Sequence, residues 1–418
     1  MGVTSRWPGL FCSFGLELEY MLVDRHSLDV APLADRLLAL GAGKTANEVE
    51  RGIMAWSNEL ALHVIEIKNS KPVPDLAAMV DQFQAQVTEI AAIAGQLGAT
   101  LLPTAMHPWM DPLAETRLWP HGNHEIYHAY DRIFNCQGHG WSNLQSAHLN
   151  LGFASDEEFG RLHGAIRLLL PIMPALTASS PLAEGRPTGM LDTRLHHYRH
   201  NQRAVPILTG RVVPEQVYSQ SEYEQRIYQP IATAIVPHDP EGILEPVWLN
   251  SRGAIARFDR NAIEIRILDI QECPLADVSI AILISAALQG LVEERWSPWK
   301  TQRDMAVEPL AELFEAMLVS GEETMIADAG YLALFGITGR SPLRAADLWR
   351  ELADRCQPTL AACGPAIEQT VRTVLAQGPL ARRILRALGP APGPDRLRKT
   401  YEQLTECLLN GNLFTAGA

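Results

Sequence analysis

Residues 14–23 read Phe-Gly-Leu-Glu-Leu-Glu-Tyr-Met-Leu-Val (FGLELEYMLV). At the two-residue period of a β-strand, Leu16, Leu18, Tyr20 and Leu22 share one face, and Glu17 and Glu19 share the other, about 7 Å apart. The apolar face calls for a core. The two carboxylates repel each other and resist desolvation, so the pair suits a strand whose second face meets a cation or solvent. An edge strand with a merely wet outer face is the plainer alternative.

Working outward, three further segments carry charged or polar side chains inside strand-like runs. NELALHVIEIK (58–68) holds Glu59 and Glu66, whose spacing of seven gives them opposite parity. Both can reach one site only if the chain bulges or bends between them. SAHLNLGF (146–153) sets His148 and Asn150 on one face against Leu149 and Leu151 on the other, although a lone histidine is more often a satisfied structural residue than a ligand. In ARFDRNAIEIRILD (256–269), Asp259-Arg260-Asn261 has turn chemistry and predicts a hairpin, with Arg257 on one arm and Glu264 and Arg266 on the other. Strict alternation groups Glu264, Arg266 and Leu268 on one face and Ile263, Ile265 and Ile267 on the opposite face.

Around these strands lie amphipathic helices. In residues 75–97, Leu76, Met79, Val80, Phe83, Val87, Ile90, Ala91 and Ala94 recur at helical spacing between Pro74 and Gly98. A second helix is expected over 157–178, bent or ended at Pro171 and Pro174, and a third over 277–296 after Pro274. Short strands among long helices, without a regular β-α-β beat, predict an α+β fold with an antiparallel sheet. From Ser297 onward the pattern is entirely helical, so the expected division is a catalytic unit over 1–296 and a C-terminal helical segment over 297–418 packed on it. That segment could form a homo-oligomeric surface or simply buttress the sheet.

Composition excludes several classes. The 418 residues carry 35 basic and 48 acidic side chains, a net charge of −13, which repels phosphate backbones and anionic lipid and argues against nucleic-acid and membrane partners. The first twenty residues lack a signal-peptide core and no later run reads as long enough to span a bilayer, so a cytoplasmic protein is expected. Six cysteines are scattered without a C-x-x-C pair and read as reduced structural thiols. Neither a P-loop nor a G-x-G-x-x-G fingerprint occurs.

Together the four segments can supply up to five glutamates, one histidine and two arginines to one sheet face. Hard oxygen ligands with a single imidazole suit magnesium or manganese rather than zinc. Arginines beside such ions match a transferring phosphoryl group. The reading is an ATP-using site built on a sheet without a P-loop.

GLELEYMLVD, the Glu59–Glu66 strand, MHPWMDP, SAHLNLG, TASSP with LDTRLHHYR, and AIEIRILD occur in an order that resembles the carboxylate-amine ligases of the second glutamate-cysteine ligase family, within the glutamine synthetase superfamily. The resemblance spans roughly residues 11–296. It implies a curved antiparallel sheet forming an active-site funnel covered by helices, two or three magnesium ions held by glutamates, and ATP at the rim. It also implies that a substrate carboxylate is phosphorylated and then attacked by an amine. By resemblance, Glu17, Glu19, Glu66, His148 and Glu264 match metal ligands, with Glu59 at a further acidic position. Arg266 matches the residue that stabilises the γ-phosphoryl group, with Glu264 and Arg257 beside it. Arg194 and Arg199 match loop arginines suited to a substrate carboxylate or phosphate, or else form a solvated basic turn. His107 falls in a family motif without an evident role.

The chain departs from the family where His-x-His is replaced by His148-Leu149-Asn150, since Asn150 hydrogen-bonds well but ligates poorly and is read as substrate-binding. His121, His124 and His128 fall near helical spacing and read as a loop-helix surface more than a metal site. The expected activity is an ATP- and magnesium-dependent ligase joining a carboxylate, such as that of glutamate, to an amine, of which cysteine is one candidate. A guanidino-kinase-like phosphotransferase and a non-catalytic binding relative are the alternatives.

Overall fold

The computed structural model describes residues 8–415. Eight strands form one antiparallel sheet: β1 (Phe14–Asp24), β2 (Glu48–Arg51), β3 (Met54–Asn58), β4 (Val64–Asn69), β5 (Ala99–Leu102), β6 (Ser146–Gly152), β7 (Ala254–Arg257) and β8 (Ala262–Asp269). Their order is β2-β3-β4-β1-β6-β8-β7, and β5 pairs with the second half of β1. The α+β antiparallel architecture is the one expected from the sequence.

Alternation in β1 works as read. Leu16, Leu18, Tyr20 and Leu22 are all 0% exposed and join the main apolar core. Helices α1 (Met79–Gln96), α2 (His124–Phe134), α3 (Asp156–Leu169), α4 (Thr193–Tyr198), α5 (Pro274–Val292), α6 (Leu380–Leu388) and α7 (Pro394–Asn410) include the three predicted from periodicity. Helix α3 ends at Leu169, and a 3-10 turn over Leu170–Ile172 absorbs Pro171 before a short helix begins at Pro174. Helix α1 packs against β3, β4 and β5, and α5 packs against both α1 and α3.

Three expectations are corrected. Pro274–Val292 has a mean hydropathy of 2.0 over its window and is long and apolar enough to cross a membrane, contrary to the reading that no run is; 89% of that window is buried inside the protein. The region after Ser297 is not entirely helical, because Met325–Ile326 pairs with Leu343–Arg344. The Glu59–Glu66 segment is not one strand: β3 ends at Asn58, the chain turns through residues 61–63 and β4 returns antiparallel, pairing Ser57 with Glu66. The reversal removes the parity conflict, since Glu59 follows the end of β3 while Glu66 lies on the neighbouring strand β4.

The last two helices lie on the second face of the sheet. Met21 and Val23 follow Glu19 on that face and are buried against Leu380, Ile384, Leu388, Tyr401, Leu404 and Phe414. The tail is clamped by a fully buried ion pair between Arg383 and Glu272; Arg383 also donates to the Phe414 carbonyl at 2.8 Å, and the Phe414 amide donates to Glu272 at 3.3 Å. One end of the carboxylate-bearing face is thereby closed, and the rest remains open.

Candidate active site

A cavity of about 1280 Å³ opens on the face that carries the glutamates. Strand register arranges its floor in rows. Glu17 stands across from Lys68 on β4 and from His148 on β6, and Glu19 stands across from Glu66. Glu264 pairs in register with Asn150. Glu59 sits just past the end of β3, two residues beyond Ser57, and lines the same cavity.

A bulge in β8 supplies what simple alternation could not. Ile265 pairs with Leu149 but Leu268 pairs with Ala147, so Arg266 and Ile267 together oppose His148. Arg266 keeps the cavity face, Leu268 turns into the core, and Asp269 comes opposite Ser146, where its buried carboxylate meets Arg194, Ser179 and Ser180. The expected grouping of Leu268 with Glu264 and Arg266 is therefore wrong beyond the bulge.

Hydrogen bonds tie the floor together. His148 Nδ1 lies 3.3 Å from Glu17, and its Nε2 lies 2.9 Å from Ser146 Oγ and 3.8 Å from Glu19. Glu19 accepts from the Ser146 amide at 2.7 Å and from its hydroxyl at 2.9 Å. Asn150 donates to Glu17 at 3.1 Å. Glu66 accepts from Ser57 at 2.7 Å and from Lys68 at 2.8 Å. Two sets of three side chains bring ligand atoms within 4.8 Å of one another: Glu17, Glu66 and His148, and Glu19, Glu59 and Glu66. These donors fit hard divalent ions, and Glu66 belongs to both sets.

The electrostatics follow from burial. Burial, with the charge of Glu66 added, raises the Glu19 carboxyl despite His148, and burial with Glu17 raises Glu66 despite Lys68. Glu59 is pushed well above the usual carboxylate range by burial and then by Glu66 and Glu19. Burial is the largest influence on Glu17 and works to raise it, but the hydrogen bond from His148, with the charges of His148 and Lys68 added, holds that group low. Burial opposes protonation of His148, yet Glu17, Glu19 and Glu264 raise it to about 9. Several carboxylates crowded together at the floor of one cavity cannot all ionise at ordinary cost without added positive charge, which a divalent ion would provide.

Not every expected residue joins this cluster. Glu264 stands outside both three-ligand sets: it pairs with Arg266, and Arg257 approaches it at 3.7 Å, while burial is overcome by Arg266 to hold it at about 2. It lines the same cavity, with its carboxylate directed to these arginines. Arg257 also holds Asp259 at 3.1 Å. Arg194 reaches the cavity wall, but it is 1% exposed and its Nε lies 2.5 Å from Asp269, so it buttresses the bulge rather than offering a free charge to substrate. Arg199 lies outside the cavity lining and pairs with Glu315 at 3.3 Å, which corrects its substrate-binding assignment. His107 is buried, with Nε2 lying 2.7 Å from the Leu28 carbonyl, a structural role. His121 meets Asp35 at 3.3 Å and His124 packs edge-on to His128, the surface-helix arrangement expected.

Lys68, Ser57, Ser146 and Asp269 were not singled out from the sequence. Lys68 was legible, since it alternates with Glu66 in VIEIK. Ser146 was legible as the residue two before His148. Ser57 needed the hairpin, and Asp269 needed the bulge.

The chain matches the family described as "Glutamate-cysteine ligase family 2(GCS2)" over residues 13–394. It belongs to that family. Glutamate-cysteine ligase family 2 membership makes the chain one of the carboxylate-amine ligases. It is 35% identical over 314 residues to an uncharacterized protein of Archaeoglobus fulgidus, covering 74% of this chain and 80% of that one. It is 26% identical over 402 residues to a Streptomyces avermitilis protein named "Putative glutamate–cysteine ligase 2-1", covering 94% and 98% respectively. The fold is similar to the crystal structure of a bifunctional glutathione synthetase from Pasteurella multocida, at a TM-score of 0.55 and 14% identity. That likeness covers 96% of this chain and 51% of the synthetase, so the chain spans about half the length of that protein.

Proposed function

We propose that the protein is an ATP- and magnesium-dependent ligase that phosphorylates a small-molecule carboxylate, with glutamate the first candidate, and passes the acyl group to an amine. The observation that carries this reading is Glu66 shared between two three-ligand sets beside Arg266. Magnesium or manganese held there would screen the charge of bound phosphates. Glu17, Glu19, Glu59, Glu66 and His148 are the residues that would hold it.

The remaining work falls to the chain's own groups. Arg266, held in place by Glu264, is suited to stabilise the equatorial oxygens as the phosphoryl group moves to the substrate carboxylate. Arg257, Arg260 and Lys71 line the mouth of the cavity and offer positive charge to phosphates and to the donor's second carboxylate. Asn150 fixes Glu17. Arg194 acts at one remove, bracing Asp269 behind the bulge that presents Arg266. The acyl phosphate reacts with water, so a deep cavity that binds the amine close by favours aminolysis. We assign the chemistry to residues 1–296 and a supporting role to the helices after Ser297, which cover Met21 and Val23.

The test is phosphate release by purified protein with ATP, magnesium and glutamate. Release only on addition of an amine, with a new amide in the mass spectrum, supports the ligase. A stable phosphorylated acceptor without an amide would point to a phosphotransferase instead, and failure across a broad panel of acids and amines would reject the reading.

A further inference from the structure

Resting on that ligase reading, we infer that the Lys68 ammonium is a resident cation standing where a further divalent ion would otherwise bind, so that the floor of the cavity takes up two ions and not three. Lys68 is then a positioning residue for Glu66, the carboxylate common to both three-ligand sets.

Strand register builds the place that Lys68 fills. Glu48 on β2 pairs with Ser57 on β3, and Ser57 pairs with Glu66 on β4, so the three side chains form one row across neighbouring strands. Lys68 belongs to the next row, between Glu17 and Ala55. Its side chain nevertheless leans over to the first row. Nζ donates to Glu66 Oε1 at 2.8 Å and to Ser57 Oγ at 2.9 Å, and Glu48 Oε2 lies 3.2 Å away. Glu17, the direct neighbour of Lys68 on β1, is engaged by His148 and Asn150 instead. Three oxygens from three strands thus surround one compact charge, an arrangement that suits a hard cation and that the flat guanidinium of an arginine would not reproduce.

The division of Glu66 between its partners follows. Ser57 donates at 2.7 Å to the same oxygen as Lys68, which fills the lone pairs of Oε1 and leaves Oε2 to the ions. One ion set approaches Glu66 from Glu17 and His148, the other from Glu19 and Glu59. On the side of Glu48, Lys68 already supplies the positive charge. Without it, Glu48 and Glu66 would face each other unscreened, a pairing that favours a cation drawn from solution. Glu48 is half exposed and, among the described residues, has no other ion pair, so it is free to close on such a cation. A divalent ion at that place would exchange with solvent. A lysine cannot leave, so Glu66 keeps one orientation whether or not the metals are bound.

Counting bound Mn2+ on the full chain, by equilibrium dialysis with electron paramagnetic resonance of the free ion, tests the inference without turnover. Wild type is expected to hold two ions, Lys68→Ala three, and Lys68→Ala combined with Glu48→Gln two again. Lys71→Ala, which removes a charge from the same cavity away from these oxygens, and Glu48→Gln alone should each keep two ions, with affinities within about fivefold of wild type. Three ions on wild type, no gain in folded Lys68→Ala, a third ion retained in the double variant, a gain in Lys71→Ala, or an ion lost in Glu48→Gln would each overturn the role of Lys68 while leaving the ligase standing. Glu48→Gln alters a half-exposed side chain and decides the matter by itself should Lys68→Ala fail to fold. Fewer than two ions on wild type would overturn the metal assignment that carries the ligase reading, and this inference with it.

Discussion

Glu19 and Glu66 face each other across β1 and β4, and Glu66 also reaches the set formed by Glu17 and His148. One carboxylate therefore links two candidate ion positions, and its removal should disturb both.

Glu66→Gln keeps the size of the side chain and an oxygen to accept from Ser57 and Lys68. Magnesium binding by calorimetry is expected to weaken for all ions rather than for one, and turnover to fall at least about 100-fold. An unchanged titration would remove Glu66 from the ligand set.

Arg266→Ala should lower kcat by about 10³ or more, since an arginine in this role contributes that much to phosphoryl transfer. The urea midpoint should change little. Glu264→Gln, which releases both Arg266 and Arg257, should lower kcat by less than Arg266→Ala and leave magnesium affinity nearly intact. Loss of magnesium binding in Glu264→Gln would return that carboxylate to the metal set, and activity of Arg266→Ala within tenfold of wild type would defeat its assignment.

Metal uptake should release protons. His148 is raised to about 9 and so is protonated at pH 7 without metal, yet only the neutral imidazole can ligate. Affinity should therefore rise with pH up to about 9, by as much as about tenfold per unit. Calorimetry in buffers of different ionisation enthalpy measures the protons released; an affinity flat from pH 7 to 9 would take His148 out of the ligand set.

Acid should destabilise the fold through buried histidines. Burial, then the charge of Arg167, lowers His163 to about 3, while Nδ1 lies 2.8 Å from the Val217 carbonyl. The unfolded chain binds a proton near the ordinary histidine value and the folded chain does not, so stability is complete above about pH 6.5 and is lost as pH falls toward 3. His63 and His107, each lowered to about 4 chiefly by burial, act in the same direction. His163→Gln should reduce the slope of stability between pH 6 and 4 by up to about 1.4 kcal/mol per pH unit, read from urea midpoints. An unchanged slope would mean that the folded state protonates this histidine readily.

Breaking the tail clamp should be costly. Arg383→Met leaves Glu272 buried without its partner and should destabilise by about 3–5 kcal/mol. Adding Glu272→Gln should recover part of that loss. If the double variant is less stable than the single one by the full additive amount, the two residues do not act as a pair.

Much of the site was legible in the sequence because strand alternation is local. FGLELEY separates Leu16, Leu18 and Tyr20 from Glu17 and Glu19 whatever the rest of the chain does, and SAHLNL separates His148 and Asn150 from Leu149 and Leu151 in the same way. The turn at Asp259–Asn261 was legible too; Asn261 adopts a φ of 49°, a conformation asparagine tolerates. Arg194 and Arg199 were misread because their charge is visible in the sequence but their partners, Asp269 and Glu315, come from distant segments.

The sequence by itself determined which side chains share a face within each strand, which helices carry an apolar stripe, and hence an antiparallel sheet with acidic residues on one side. The tertiary structure alone decided that Glu59 and Glu66 meet through a hairpin, that a bulge turns Leu268 into the core and sets Asp269 opposite Ser146 against Arg194, and that the last helices close the face beyond Glu19. The physical reason is range: parity along a strand is set by neighbouring bonds, whereas register, bulges and the burial of Met21 and Val23 depend on pairings between residues far apart in the chain.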